Sequence, residues 1–314
     1  MMNLFLQMLN LQIAMFLLVL VGVIAKKRKI ISSQVQKSLS DLLIYFILPS
    51  NIIESFHGNL TPDLIKNSVA AFIISFTIQI LSIFLGKLLF SHFSDDMKPV
   101  MKYGLICSNS SFIGLPVINN IYNSIGVLYA SIFQIPIRIM IWTSGLALFT
   151  NKSEDKNVRK KNFFTKETVK SLIFHPCIIA VFFGIFIMAF HIPIPISINR
   201  SIIFLSQCTI PISMIVIGCI LSECKITQIF DKATFYFTFI RLIVFPLLIF
   251  SFLKLMKVNS LITGVSVLLT GMPAGATTAI LADKYGCNAS FASGIIFIST
   301  VCSIITIPIL CLLF

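Results

Sequence analysis

The stretch "SNSSFIGLPVINN", residues 108–120, decides how the chain is read. It sits where a bilayer-crossing segment ought to be, yet it carries two Ser-Asn clusters, a glycine and a proline. Hydrocarbon offers no partner for the carbonyl that a proline leaves unbonded. The stretch therefore lies outside the membrane, or it lines a cavity enclosed by protein.

The surrounding composition argues for the second. The chain has 314 residues, of which 57% are hydrophobic and 11% charged, against roughly 25% charged in a soluble domain. Its mean hydropathy is +0.98. Ten apolar segments recur, at 4–25, 36–57, 67–90, 102–121, 125–149, 171–191, 198–222, 231–255, 259–282 and 287–312. Each is close to the ~20 residues that span a bilayer. The first run is followed by "KKRK", residues 26–29. Charges after the run, not before it, mark a first span and not a cleaved signal peptide.

The net charge of +13 comes from 24 basic and 11 acidic residues. Eighteen of the 24 fall on the side of Lys26–Lys29, seven of them in "TNKSEDKNVRKKNFFTKETVK" at 150–170. The other side holds Lys66, Arg200, Lys254 and Lys257, and Arg138 and Arg241 lie inside spans. Loops rich in Lys and Arg stay in the cytoplasm. The expected topology is a cell-membrane protein with both termini outside, and nucleic acid is not an expected partner.

The polar segment divides the chain into a first five-helix unit at 1–150, a cytoplasmic basic loop at 151–170 and a second five-helix unit at 171–314. Five spans per half force the halves to face opposite ways. Their prolines correspond: "FILPSNII" in span two with "CTIPISMI" in span seven, and Gly114-Leu115-Pro116 in span four with Gly271-Met272-Pro273 in span nine. The expected fold is all-α: ten transmembrane helices as two inverted repeats, with broken, crossing helices four and nine.

The break has an electrostatic consequence. New half-helices are expected beyond Pro116 and beyond Pro273, each offering free N–H groups and a positive end. Such ends bind anions. Asn109, Ser110 and Ser111 supply side chains on one arm, and Ala274, Thr277 and Thr278 follow Pro273 on the other. Two plain proline kinks are the competing explanation. Arg138, with Gln134 one turn away, is a further candidate, since a charge inside a span faces the protein and serves a function unless it is a structural ion pair. Asp41 or Glu54 would be the partner in such a pair. Arg241, Asp41 and Glu54 are secondary candidates, the two acids as proton sites. A proton or sodium ion as coupling partner stays open.

Neither metal nor cofactor is expected. The eight cysteines (Cys107, Cys177, Cys208, Cys219, Cys224, Cys287, Cys302, Cys311) form no CxxC pair, and the histidines (His57, His92, His175, His191) are dispersed near span ends. The absence of a P-loop pattern argues against ATP-driven transport within this chain. An intramembrane enzyme would need a nucleophile–base pair at depth, so no enzymatic activity is expected.

The chain resembles the auxin efflux carrier family, which includes bacterial malonate-type dicarboxylate carriers. The resemblance rests on "LIYFILPSNII" (43–53), on residues 108–120, on "GVLYASIFQIPIRIMIWTSGLAL" (126–148) and on "GMPAGATTAILADKYGCNASFASGIIFISTVCSIITIPIL" (271–310). It implies a ten-span inverted-repeat secondary transporter of organic anions working by alternating access. It also implies a dimeric scaffold of spans one, two, six and seven. The family asparagine seven residues before the span-four proline matches Asn109. The position four after the span-nine proline, often asparagine, is Thr277 here, a shorter polar group. The alternative to a carrier is an anion or ion channel using the same half-helix ends. A receptor or assembly subunit would be expected to carry a soluble signalling domain.

Overall fold

The computed structural model describes residues 2–56, 61–150, 170, 173–222 and 231–314. The basic segment 151–169, His57, Cys224 and Lys225 lie outside the described residues. The described chain is helical, and no strand forms among the described residues beyond one isolated bridge. Six helical stretches are long and apolar enough to cross a membrane: Leu6–Lys27, Pro62–Leu89, Ser110–Phe149, Ile196–Ser222, Lys232–Leu255 and Ala289–Cys311. Pro176–Ala189 and Ser260–Thr270 are shorter apolar helices.

Helix α1 is Met2–Lys27, α2 Ser33–Leu42, α3 Leu48–Ser55 and α4 Pro62–Leu89. Helix α5 is Lys98–Ile106, α6 Leu115–Met140 and α7 Leu146–Thr150. Helix α8 is Pro176–Ala189, α9 Ile196–Gln207, α10 Thr209–Ser222, α11 Lys232–Phe239 and α12 Phe245–Leu255. Helix α13 is Ser260–Thr270, α14 Thr277–Lys284 and α15 Ala289–Cys311.

Helix α4 shows why such a sequence belongs in lipid. Thr61 caps its start, accepting from the Leu64 amide at 3.2 Å, and Pro62 takes the first turn, where its missing N–H costs nothing. The helix buries Ala71, Ser75, Ile78, Gln79, Ser82 and Gly86. It exposes Ile73, Phe76, Ile80, Phe84 and Leu88. Small and polar residues face the protein while large apolar ones face outward, the reverse of a soluble helix and the pattern of membrane helix packing.

Three prolines are accommodated by π turns. Leu43–Ile47 precedes Pro49, Ser110–Gly114 precedes Pro116, and Ile240–Val244 precedes Pro246. In each, the residue before the proline donates to a carbonyl five residues back: Leu48 to Leu43, Leu115 to Ser110, Phe245 to Ile240. A proline ring clashes with the carbonyl four residues before it. The extra residue of a π turn moves that carbonyl aside without opening the helix.

This relocates one expected break. Pro116 does not end a half-helix; it lies in the first turn of α6, behind its π turn. Helix α5 instead stops at Ile106, and the chain is non-helical over 107–109. The second break falls where expected, with α13 ending at Thr270 and α14 starting at Thr277, so that Pro273 lies between them. Within α6 the chain turns at Asn123, whose φ of 53° and ψ of −156° are not helical. That residue stands between the expected segments 102–121 and 125–149.

Helices α1 and α10 pack closely enough to require glycine. A Cβ on Gly218 would lie 2.0 Å from the Val19 carbonyl oxygen, and one on Gly22 would lie 2.2 Å from that of Ile215. Close backbone approach through small residues is how membrane helices associate. Gly218→Ala is therefore expected to destabilise the protein by about 1–3 kcal/mol, read as a lower midpoint of thermal unfolding in detergent. A midpoint equal to wild type would show that the helix pair can separate without cost. Helix α3 packs against α8 and α9, where the buried Asn51 Nδ2 donates to Ser206 Oγ at 2.9 Å.

Candidate functional site

The two breaks lie side by side, antiparallel. Ser108 and Ala274 form a bridge. The Asn109 amide donates to the Pro273 carbonyl at 2.8 Å, and the Gly275 amide donates to the Cys107 carbonyl at 2.9 Å. The Ala274 amide donates to Ser299 Oγ on α15 at 3.2 Å. The breaks approach closely at Gly275, where a Cβ would meet Cys107 Sγ at 2.6 Å.

Arg241 closes the accounting. It is 1% exposed, in the π turn ahead of Pro246. Its Nη1 donates to the Leu105 carbonyl at 2.6 Å and its Nε to the Met272 carbonyl at 3.0 Å. The Leu105 carbonyl is in the last turn of α5, where a helix carries partial negative charge and lacks its own donors; that of Met272 lies in the second break, two residues past the end of α13. One guanidinium thus serves both interruptions.

The leading ends face a cavity of about 220 Å³. Cys107, Ser108, Asn109, Ser110, Ser111 and Phe112 line it from one break, and Gly275, Ala276 and Thr277 from the other. The first amides of a helix have no intrahelical partner, and the opening turns of both new helices stand on this wall. Asn109 does not cap its helix with its side chain. Gln134, Ile137, Arg138, Ile141 and Trp142 come from α6 and the π turn behind it, Ile44 and Leu48 from the second segment, and His175 and Cys177 from the start of α8.

Arg138 is half-buried in this wall. Its Nη2 donates to Gln134 Oε1 at 3.2 Å and Ser111 Oγ at 3.3 Å, and its Nη1 lies 2.9 Å from His175 Nε2. Ser111 Oγ donates to Gln134 Oε1 at 2.6 Å. Among the described residues no carboxylate pairs with Arg138. The expected alternative, an ion pair with Asp41 or Glu54, is not formed: Asp41 is exposed, and neither acid reaches the cavity. On the far wall Thr277 Oγ1 accepts from the Tyr103 hydroxyl at 3.2 Å and lies 3.0 Å from Cys107 Sγ.

Of the residues singled out in the sequence, the structure gathers Asn109, Ser110, Ser111, Gln134, Arg138 and Thr277 around one space. It places the others behind them. Gly114 packs on α13, where a Cβ would meet Leu269 Cδ2 at 2.7 Å. The Pro116 carbonyl accepts from Asn120, and the Pro273 carbonyl is taken by Asn109. Ala274 is held by Ser299, Thr278 is fully buried, and Arg241 borders only a void of about 10 Å³. Trp142 and His175 were missed. His175 is separated from Arg138 by 37 residues that include the basic segment.

Comparison with known proteins bears on the family of the chain. A family model described as a membrane transport protein matches residues 8–311. The chain is 25% identical over 299 residues to an uncharacterized transporter of Methanocaldococcus jannaschii, covering 93% of this chain and 94% of that one. It is 26% identical over 201 residues to an uncharacterized transporter of Methanothermobacter thermautotrophicus, covering 64% of this chain and 63% of the other. With the family model spanning nearly its whole length, the chain belongs to this family of membrane transport proteins, the auxin efflux carrier family.

Proposed function

We propose that the protein is a secondary carrier for a small organic anion, of the mono- or dicarboxylate class. On this reading it has ten spans in two inverted five-helix repeats, and the anion binds where the two breaks meet. Alternating access would carry it across. The observation that carries the reading is Arg138, a guanidinium in a cavity wall with neutral partners and, among the described residues, no carboxylate beside it. A guanidinium inside a membrane protein is costly unless a counter-charge arrives, and its planar fork matches a carboxylate. Asn109 and the opening amides at Ser110, Ser111 and Thr277 supply the remaining donors. Ile44, Leu48, Phe112, Ile137 and Trp142 give the cavity an apolar wall for the carbon chain. A volume of about 220 Å³ lies below the ~300 Å³ at which pockets for drug-sized ligands begin, so the anion is small.

Trp142 is the chain's single tryptophan, and it lines the cavity. Titration of purified protein with butyrate, then with malonate, is expected to change its fluorescence saturably. Asn109→Ala is expected to weaken the response about tenfold, the worth of one hydrogen bond to a charged group. No response to either anion at millimolar concentration would overturn the reading. In vesicles, efflux of labelled anion accelerated by unlabelled anion on the opposite side marks a carrier. A steady conductance without such exchange marks a channel.

A further inference from the structure

The geometry points to His175 as a proton site coupled to the anion site, so that one proton binds with each anion. The inference rests on the carrier reading above and adds the coupling ion to it. His175 stands at the start of α8 and lines the cavity. Its Nε2 is 2.9 Å from Arg138 Nη1, and its Nδ1 accepts from the Cys177 amide at 3.3 Å. A neutral imidazole has one N–H and one lone pair; the lone pair is on Nδ1, which takes the Cys177 amide, and the ring proton is on Nε2. The same guanidinium nitrogen stands 3.3 Å from Nδ1, and a second positive charge so close to it is disfavoured, so in the empty site the imidazole is neutral.

Among the described residues the guanidinium is the one charged contact of the ring. Helix α8 packs against α3, the Leu43–Ile47 turn and α6. Their titratable groups are Glu54 on α3, Tyr45 on the turn, and Tyr122, Tyr129 and Arg138 on α6, while Cys177 lies on α8 itself. Arg138 and Cys177 touch the ring, and Glu54 lies six residues past the nearest cavity-lining residue of its segment, Leu48.

An arriving carboxylate changes the charge beside the ring. Its oxygens take the guanidinium fork and offset the positive charge that kept the ring unprotonated. The Nδ1 lone pair gives up the Cys177 amide and takes a proton from a hydronium ion, so one N–H bond forms, one O–H bond breaks and water is left. The imidazolium donates to the carboxylate through Nε2, and its added positive charge offsets the charge of the anion. Each of the two, proton and anion, strengthens the binding of the other by the same factor.

The sign follows. A ring protonated in the loaded site and neutral in the empty one makes affinity highest at low pH. Affinity falls as pH rises, about tenfold per unit while the loaded ring is protonated and the empty one neutral, and it levels off once the loaded ring loses its proton. The test is calorimetric titration of the wild-type protein with butyrate and with malonate, in phosphate and in Tris, which differ in ionisation heat. The buffer dependence gives the number of protons bound. Uptake of about one proton per anion is expected, with His175→Gln binding the anion but taking up none and losing the pH dependence. Binding without proton uptake by the wild type would overturn the coupling and leave the anion site standing. Proton uptake retained in His175→Gln would overturn it as well. Failure of both anions to bind would remove the carrier reading, and this inference with it. The wild-type proton count decides the matter even if the variant does not fold.

Discussion

Replacing Arg241 with alanine is expected to lower the melting temperature of the purified protein by roughly 10 °C. Two carbonyls, of Leu105 and Met272, lose a charged donor at once. Each such bond is worth about 1.5–3 kcal/mol, and a buried acceptor left bare costs its desolvation as well. The site is 1% exposed, so water does not repair the loss cheaply. Removing a charge from the interior returns part of the cost, which sets the net at about 3–5 kcal/mol. Arg241→Lys keeps the charge but cannot reach both carbonyls in the same fork geometry, so partial recovery is expected. A melting temperature within ~2 °C of wild type for the alanine variant would mean that the two breaks hold without their shared donor.

Arg138→Gln is expected to do the opposite: binding falls about 100-fold, the low end of what loss of one partner of a buried charge pair costs, while the melting temperature hardly moves. The difference lies in the partners. Arg241 serves backbone atoms that have no substitute. Arg138 is half-buried and rests on side chains, Gln134, Ser111 and His175, that can bond to one another or to glutamine. Butyrate titration followed by Trp142 fluorescence, beside a thermal melt of the same sample, separates the two effects. Unchanged affinity would exclude Arg138 from the anion site. A melt as low as that of Arg241→Ala would make Arg138 a structural residue.

The membrane character was legible because it is compositional: apolar runs and clustered Lys and Arg need no tertiary knowledge. The gap between the expected fourth and fifth segments was equally local, and the turn at Asn123 falls within it. The breaks were half legible. Pro273 marks the second one directly. Pro116 misled, since the π turn at Ser110–Gly114 absorbs it and the unwinding moves to Cys107–Asn109. Sequence shows where a proline sits but not which neighbouring turn yields to it.

The lining of the cavity was legible where its residues lie near the breaks or carry charge inside a span, as Asn109 and Arg138 do. His175 carried no such signal. It is one of four dispersed histidines, brought to Arg138 only by the packing of α8 against α6. Arg241 was visible as a charge at depth, but its partners are backbone carbonyls. Carbonyls are the same at every position, so no residue type in the sequence could have pointed to Leu105 and Met272.

The inside-out pattern of α4 has a thermodynamic consequence. Its large residues, Ile73, Phe84 and Leu88 among them, meet hydrocarbon in the folded protein and still meet hydrocarbon if the helix parts from its neighbours. Little apolar surface is then transferred to water. The heat-capacity increment that makes a soluble protein's stability rise and fall with temperature comes from that transfer. For loosening within the bilayer the increment is small, and the free energy of association is set by contacts such as the bond from Ser75 to the Phe133 carbonyl. The assembly of these helices should accordingly change little in strength between a cold membrane and a warm one.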